Sequence, residues 1–568
     1  MNQIDPKFLE ASRAVFTSSA PPSLEDIRKR VAAGAVGTTR RDMLSALNRV
    51  EDLFGRPLSA TPANAKTVRE LLRSKSGPQL GVSTKAYANI CSGVRAALRD
   101  YGEAIVPVTV RVPHTATWSA LLTTVAVEHH RTGLYRLASY CSAMKIEPEA
   151  VGPEALVGFH AALDAEEVVK HPRKLLKLTM ALWNMCGRRV VGWPAVVLSS
   201  PFRKEPFAPR LETLPQSFQD DVAKWKKRVS DPDLFDRDAP DRPLKAVTVK
   251  DRVMQIRRFA GALIARGELT IDEITGLAIF FDPDRFKSAL RHMRAQKGGK
   301  PTQYLRKLAD NLRLIAKHYC LIDARTLEDL AVICRQLGCG SRAGMSERNR
   351  KRLRQFDDPE NVAKLLAFPG EERARALKMT NVVRAARCME RALVIDLLIH
   401  CVPRIQNLRT IDLTTDLHVS GDIYHLSFDG HLVKNEQPLE FELPPDVSRD
   451  LREFLETYRP RLSHPESAYL FVGIEGGPRS ANALRAAIEE TLRKNAGLEM
   501  HPHLFRHAIA KIVVERDPGA YAVMSRQLGH RRMDTTMANY LGTEGRAAAR
   551  HINRLLNEAL ADPTIPRE

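Results

Sequence analysis

The chain has 568 residues, with 87 lysines and arginines against 67 aspartates and glutamates, which gives a formal net charge of +20 at pH 7. This charge favours a polyanionic partner, and the length is enough for about three or four domains. No apolar run reaches the roughly twenty residues of a membrane-spanning helix, which argues against an integral membrane protein.

The first residues and the cysteines indicate the expected cellular compartment. The first residues, Met1 to Pro6, lack the basic and apolar regions of a secretory signal peptide. The eight cysteines are scattered, and the closest pair, Cys334 and Cys339, does not have the spacing of a zinc cluster. We therefore expect free thiols in a reducing cytoplasm.

The N-terminal 340 residues are predicted to be mostly helical. Stretches near Arg40–Tyr101, Arg131–Gly187 and Asp251–Cys320 share one plan, in which an arginine-bearing helix, a turn, a second helix, a loop and a third helix follow each other. We expect helical modules at residues 1–110, 111–198 and 246–340. Generic helical bundles are the alternative. The proline-rich and charged residues 199–245 are predicted to be a linker.

Basic residues are concentrated before the last third of the chain. Asp284 to Lys317 holds ten lysines and arginines and two aspartates. A second run lies in residues 341–357, which we predict to be a basic linker that binds DNA. Its cationic side chains are those of Arg348, Arg350, Lys351, Arg352 and Arg354. The alternative is a solvated, charged face.

A helix, an arginine and a hairpin are predicted next. An apolar helix ends near Leu398, a turn follows, and Arg404 comes directly after it. Two β-type runs follow, from Ile423 to Phe428 and from Leu439 to Leu443. Lys434 lies between them and is the only lysine between positions 378 and 494. From the hairpin alone, a solvated turn lysine is the favoured interpretation.

The C-terminal segment is predicted to contain three helices with polar residues at fixed places. Pro502 suits the first turn of a helix, and that helix carries His503, Arg506 and His507 at spacing i, i+3, i+4 on neighbouring faces. Residues 517–519 end it. A second helix is expected to stop at Gly529 with His530 just beyond, and residues 534–536 resemble a cap for a short helix that presents Tyr540.

This set of residue types is sufficient to break a phosphodiester without a metal. A tyrosine is the nucleophile, arginines hold the anionic phosphate, and histidines transfer protons or donate hydrogen bonds. His503 and His507 at i, i+4 are also compatible with a zinc site, but that motif needs a glutamate where Leu504 stands.

From about Asp358 to Ala561, the chain resembles the catalytic domain of the tyrosine recombinase (phage integrase) family. The matching positions, in order, are Arg404, Lys434, the H-x-x-R-H helix with His503 and Arg506, His530 in Leu-Gly-His, and Tyr540. Two departures are visible. Asn407 replaces the usual acidic residue three positions after the first arginine, and the interval from His530 to Tyr540 is one residue longer than is common.

The resemblance implies a fold, a reaction and partners. The fold would be mainly α, with a small β-hairpin or sheet in a catalytic domain at residues 358–568 (α+β), preceded by helical DNA-binding modules. Each of the three modules resembles the family's small helical core-binding domain, and the third, which is adjacent and basic, is the best candidate. Lys434 would be the general acid, His503 the proton acceptor, and no cofactor or metal would be needed. The expected partner is double-stranded DNA, bound by a homo-tetramer with or without accessory proteins, in the cytoplasm of a bacterium and associated with its nucleoid.

The expected function is site-specific recombination for a phage or another mobile element. A type IB topoisomerase and a non-catalytic DNA-binding accessory protein are the alternatives. A short C-terminal helix is expected to carry an apolar face, the tail stripe, formed by Ile552, Leu555, Leu556 and Leu560. This face is expected either to pack on its own domain or to dock on a neighbouring protomer.

Overall fold

The structure is a computed structural model. It describes residues 22–529 except for 35, 103–111, 169, 203–207, 234, 237–238, 241, 297, 339–344, 431–432, 434–436, 463, 474–475 and 518. The chain divides into two compact units, one formed by residues 1–200 together with 344–568 and the other by residues 201–343. Among the described helices, none combines the length and the apolar character needed to cross a bilayer.

The described N-terminal residues are mostly helical, as predicted, and they form two hydrophobic cores. The helices are α1 (Leu24–Gly34), α2 (Gly37–Phe54), α3 (Ala65–Ser74), α4 (Thr84–Tyr101), α5 (Ala116–Thr123), α6 (Glu128–Ala143), α7 (Pro153–Glu166) and α8 (Pro172–Arg189). In α3, the Asn64 side chain accepts a hydrogen bond from the Thr67 amide and caps the first turn. The apolar face of α3 then buries Val68 and Leu72.

An arginine joins the two N-terminal cores. Arg69 on α3 is 5% exposed and reaches α7 and its end, where it bonds the Asp164 carboxylate at 2.6 Å and the Glu167 carbonyl at 2.6 Å. Because a buried guanidinium is costly without partners, these bonds fix how α3 and α7 meet.

The N-terminal helices also contact the C-terminal part of the same unit. The Thr84 hydroxyl at the start of α4 donates to the Lys494 carbonyl at 3.0 Å. Gly497 adopts φ +75°, and a Cβ there would lie 3.1 Å from the Gln79 nitrogen and 3.2 Å from Pro78. Only glycine fits both the backbone conformation and this close approach.

The second unit comprises residues 201–343, and its described residues surround one hydrophobic core. Its helices are α9 (Gln216–Ser230), α10 (Ala246–Ala265), α11 (Pro283–Ala295), α12 (Gln303–His318) and α13 (Ala324–Gln336). The prediction of a linker over 199–245 was wrong for α9, because its Phe218, Val222 and Trp225 are buried in that core. The flanking prolines and charges hid this apolar stripe in the sequence.

The C-terminal part confirms the predicted fold class of helices with one small sheet. Its helices are α14 (Glu347–Leu353), α15 (Pro359–Leu377), α16 (Val382–His400), α17 (Ile405–Arg409), α18 (Pro445–Glu453), α19 (Ala481–Asn495), α20 (Pro502–Arg516) and α21 (Tyr521–Gln527). The described strands, β1 (Leu417–Ser420), β2 (Ile423–Phe428) and β3 (Leu439–Glu442), form an antiparallel sheet in the order β1-β2-β3. The sequence predicted β2 and β3 but missed β1, whose side chains are mostly exposed.

The basic segment before this part is a docked helix and not an extended linker. Leu353 and Phe356, three residues apart, are buried in the C-terminal core. The Gln355 side chain also exchanges two hydrogen bonds with the Glu499 backbone, at 3.2 and 3.0 Å. The prediction of a linker at residues 341–357 was therefore wrong for its described part. The other domain boundaries stay predictions.

Helix α16, the central helix of the C-terminal core, carries two buried carboxylates. Glu390 is 0% exposed and bonds Arg387 at 2.9 Å and Arg479 at 2.5 Å. Asp396 is 4% exposed and bonds Arg373, which also pairs with Asp450 at 3.0 Å. Burial raises the pKa of Asp396 to about 6, although Arg373 acts in the opposite direction. The two Arg373 pairs fix α15 and α18 against α16, and α16 leads into the candidate site.

Candidate active site

The turn after α16 carries the first candidate residue, Arg404. Helix α16 ends at His400, and Cys401 and Val402 are both buried. Val402 has φ +43°, although a β-branched side chain rarely adopts positive φ. Pro403 follows and restricts the turn further. The chain is thereby held in an uncommon conformation directly before Arg404.

Arg404 itself is half-buried and caps α17 with extended backbone. Burial lowers the pKa of its guanidinium from the usual value. Its Nη1 atom is buried, and within the described residues it has no hydrogen-bond partner. A buried N–H donor without an acceptor is costly, which makes this atom suited to an anionic ligand. Asn407, at the position of the usual acidic residue, is 5% exposed.

Helix α20 presents the second group of candidates. His501 is its N-cap, and Pro502 occupies the first turn as the sequence predicted. His503 is exposed, whereas Arg506 and His507 are buried. The rings of His503 and His507 lie edge to face with centroids 5.0 Å apart. The spacing i, i+4 thus brings the two imidazoles together at the start of the helix.

Arg506 connects three segments that are distant in the sequence. Its Nη1 donates to the Val402 carbonyl at 2.5 Å, two residues before Arg404. Its Nη2 donates to the Leu528 carbonyl at 2.5 Å, two residues before His530. A guanidinium has five N–H donors in a rigid planar arrangement, and here two of them hold the backbones of the two neighbouring segments in place. The H-x-x-R-H helix, the Arg404 turn and the Leu-Gly-His turn therefore converge on one arginine.

The end of α21 agrees with its prediction from sequence. The helix ends at Gln527, and Gly529 has φ +60°. A Cβ on Gly529 would lie 2.8 Å from the Leu439 side chain on β3, so glycine allows this turn to approach the sheet. His530, Tyr540, the tail stripe and Lys434 lie outside the described residues. Their proposed positions stay predictions.

The five basic residues predicted to bind DNA fall into two groups. Arg350 pairs with Glu347 at 3.0 Å, and Arg352 lies 3.6 Å from Glu499. Arg348, Lys351 and Arg354 are exposed on and just after α14. This second group is oriented by a helix that is packed on the C-terminal core, so its charges have a fixed place on the surface.

Two residues of the site were missed from the sequence. His501 accepts a hydrogen bond from the Leu504 amide and contacts Asn349 on α14 at 3.2 Å. Burial, with a smaller contribution from Arg352, lowers its pKa to about 4, so it is neutral and able to accept. Gln527 donates to the His400 carbonyl at 2.9 Å. Of these two residues, only His501 had a signal in the sequence, because Pro502 in the first turn of the helix places His501 at the N-cap.

The zinc alternative gains no support in the part of the chain that the structure describes. There, no group of three histidine, cysteine or acidic side chains is arranged to hold a metal ion. His503 and His507 would need a further ligand from elsewhere in the chain.

Residues 367–544 match the model of the phage integrase family. This stretch is therefore similar to a phage integrase domain. A segment of 92 residues is 33% identical to tyrosine recombinase XerC of Pseudomonas putida and covers 16% of this chain and 30% of that protein. A segment of 88 residues is 35% identical to tyrosine recombinase XerD of Corynebacterium glutamicum and covers 15% of this chain and 28% of that protein. The chain thus spans less than a third of the length of these curated relatives.

Solved structures resemble the chain only distantly. One is the XerH site-specific recombinase bound to palindromic difH substrate, with 14% identity and a TM-score of 0.33 over 63% of this chain and 98% of that one. Another is the Tn1549 transposon integrase in complex with circular intermediate DNA, with 11% identity and a TM-score of 0.33 over 59% and 98%. The stretch that matches the family model contains the α16, α20 and α21 segments that Arg506 joins.

Proposed function

We propose that this protein is a site-specific DNA recombinase that cleaves and rejoins DNA strands through a 3′-phosphotyrosine intermediate. The observation that carries the proposal is the convergence on Arg506 of the turns that precede Arg404 and His530. A phosphate held there would meet a desolvated Arg404, whose buried Nη1 needs an acceptor. Electrostatic stabilisation is strongest in such a water-poor, preorganised site.

The reaction follows from the residue types. The Tyr540 hydroxyl attacks the scissile phosphorus, and the bond to the 5′ oxygen of the next nucleotide breaks. Arg404 and Arg506 stabilise the charge on the non-bridging oxygens, with His530 as a further donor. Lys434 gives a proton to the departing 5′-hydroxyl, and His503 takes the proton of the tyrosine. A 5′-hydroxyl of another strand reverses the step, so the bond energy is kept and neither ATP nor a metal is consumed.

The setting we propose is the cytoplasm of a bacterium, where the protein would act on the ends of a phage or another mobile element. Exchange between two sites needs four strand cleavages, so a homo-tetramer on DNA is the expected assembly. Mass photometry on the cleaved DNA should show four protomers on two duplexes. A protein that relaxes supercoiled plasmids but never pairs two duplexes would instead be a topoisomerase.

Covalent capture tests the function without knowledge of the target site. The full chain is incubated with sheared DNA from its source, complexes are trapped with detergent, and attached fragments are sequenced. Fragments that share one sequence at one end support the proposal. Arg404→Ala and Arg506→Ala should each reduce capture by a factor on the order of 10² or more. The matched control is Arg384→Ala, which removes an exposed arginine at the start of α16. Equal capture by all variants would refute the assigned roles.

A further inference from the structure

The Arg404 turn has a backbone conformation that requires external support. Val402 has φ +43° and is 1% exposed in a small cluster with Ala510, Val514, Met524 and Leu528. A β-branched residue in this region costs on the order of 1–3 kcal/mol and persists only where its surroundings enforce it. The support must come from α20, from α21 and from Leu528 directly after α21, which supply the rest of the cluster.

Two side-chain donors hold the carbonyls on either side of the turn. Arg506 bonds the Val402 carbonyl, and Gln527 bonds the His400 carbonyl at 2.9 Å. The last carbonyls of a helix have no partner inside the helix, so the Gln527 amide satisfies a group at the end of α16 that would otherwise need water. The two bonds fix the chain immediately before Arg404.

Gln527 also belongs to the segment that carries His530. It is the last residue of α21, and the next residue, Leu528, gives its carbonyl to Arg506. A shift of α21 would therefore displace two groups. The bond from Gln527 would pull on the His400 carbonyl, and the Leu528 carbonyl would move the Arg506 guanidinium that donates to it. The Arg404 turn and the start of the Leu-Gly-His turn are mechanically linked at this point.

We propose that Gln527 is a positioning residue that sets the place of Arg404 relative to the Leu-Gly-His turn. This inference rests on the proposed function and deepens it, because Gln527 acts on the phosphate through Arg404 and makes no chemical step itself. The residue governs how well the transition state is held and leaves the affinity for DNA unchanged.

The test variant is Gln527→Met, which keeps the length of the side chain and removes its donor. Its control is Gln406→Met, which makes the same change at an exposed position of α17. On the DNA recovered by covalent capture, Gln527→Met should slow single-turnover formation of the covalent complex on the order of ten-fold. Its Kd for the same DNA should stay within about two-fold of the wild type. The control should match the wild type in both.

A substrate with an uncharged scissile group distinguishes a positioning role of Gln527 from a general loss of structure in the variant. In a substrate with a methylphosphonate at the scissile position, one charged oxygen is absent, so guanidinium placement matters less. The rate ratio between wild type and Gln527→Met should then fall to about two-fold. An undiminished ratio on the neutral substrate, or a rate loss that follows a loss of DNA binding, would overturn the proposal.

A measurement on the protein alone keeps the inference separate from the proposed function. Hydrogen exchange in Gln527→Met should become faster in peptides that cover residues 397–408, while the core of α20 stays protected. Unchanged exchange there would overturn the positioning role even in an active enzyme. Failure of the wild type to form any covalent complex would instead refute the proposed function, and the exchange result would still decide whether Gln527 holds the turn.

Discussion

Replacement of Asp396 by asparagine should change the pH dependence of stability in the centre of the C-terminal core. Asp396 lies on α16, one turn before its end, and is 4% exposed. Its carboxylate accepts a hydrogen bond from Arg373 at 2.5 Å, which favours the charged form. Burial favours the neutral form and dominates, because the pKa rises from 3.8 to about 6.

The sign and size of the effect follow from linkage. Between about pH 4 and pH 6, the folded protein holds a proton on Asp396 that the unfolded chain has lost, so wild-type stability falls as the pH rises. A rise from 3.8 to about 6 corresponds to at most about 3 kcal/mol in this window. Asparagine does not titrate. The free energy of opening α16 in Asp396→Asn, relative to the wild type, should therefore increase by up to about 3 kcal/mol from pH 4 to pH 7.

Hydrogen exchange reads this quantity locally. Opening free energies of peptides that cover residues 382–400 are compared between the two proteins at each pH, with correction for intrinsic exchange rates. Asp329→Asn, an exposed change on α13, is the control and should show no such trend in α16. If the wild type instead gains stability relative to Asp396→Asn as the pH rises, the Arg373 pair outweighs burial and the reasoning is wrong.

Three further predictions concern DNA binding, the N-terminal cores and metals. Replacement of Arg348, Lys351 and Arg354 by glutamine should reduce the log–log salt slope of DNA binding by up to roughly 2.7, about 0.9 per phosphate contact. Replacement of the carboxylate-paired Arg350 and Arg352 should reduce this slope less. Equal slopes in all proteins would mean that α14 faces solvent and does not contact DNA. Arg69→Met should speed hydrogen exchange in residues 153–168, because it removes the bonds to Asp164 and Glu167. Arg73→Met, a change at an exposed position of the same helix, is its control. Equal protection in both variants would contradict the role of Arg69 in joining the two N-terminal cores. EDTA should leave formation of the covalent complex unchanged, whereas a loss that zinc or magnesium restores would refute the metal-free reaction.

The parts of the fold that could be predicted are those with a local signal. The ends of α16, α20 and α21 follow from apolar periodicity, from Pro502 and from Gly529, and the strands β2 and β3 follow from β-branched and aromatic runs. Helix α9 was hidden because prolines and charges on both sides dominate the composition of its segment. The docking of α14 depends on Leu353 and Phe356 in a stretch whose sequence is dominated by arginine.

The rest of the site depends on contacts between residues far apart in the chain. Glu390 and Asp396 resemble surface charges in the sequence. Arg387 is a local partner of Glu390, but only the tertiary fold brings Arg479 to Glu390 and Arg373 to Asp396. The positive φ of Val402 is opposite to what a β-branched residue before proline suggests, since its support comes from Arg506, about a hundred residues later in the sequence. The partner of Gln527 is likewise a carbonyl that is distant in the sequence, and no local pattern indicates it.

In the proposed reaction Tyr540 becomes covalently joined to DNA, and mass spectrometry detects this bond. Captured complexes are digested with nuclease and then with trypsin, which releases the peptide from Met533 to Arg546 with Tyr540 as its one tyrosine. We predict a nucleotide attached through phosphate to Tyr540 in the wild type. We also predict that Tyr540→Phe retains DNA binding but forms no adduct. An adduct on another residue, or an adduct that persists in Tyr540→Phe, would contradict the proposed reaction.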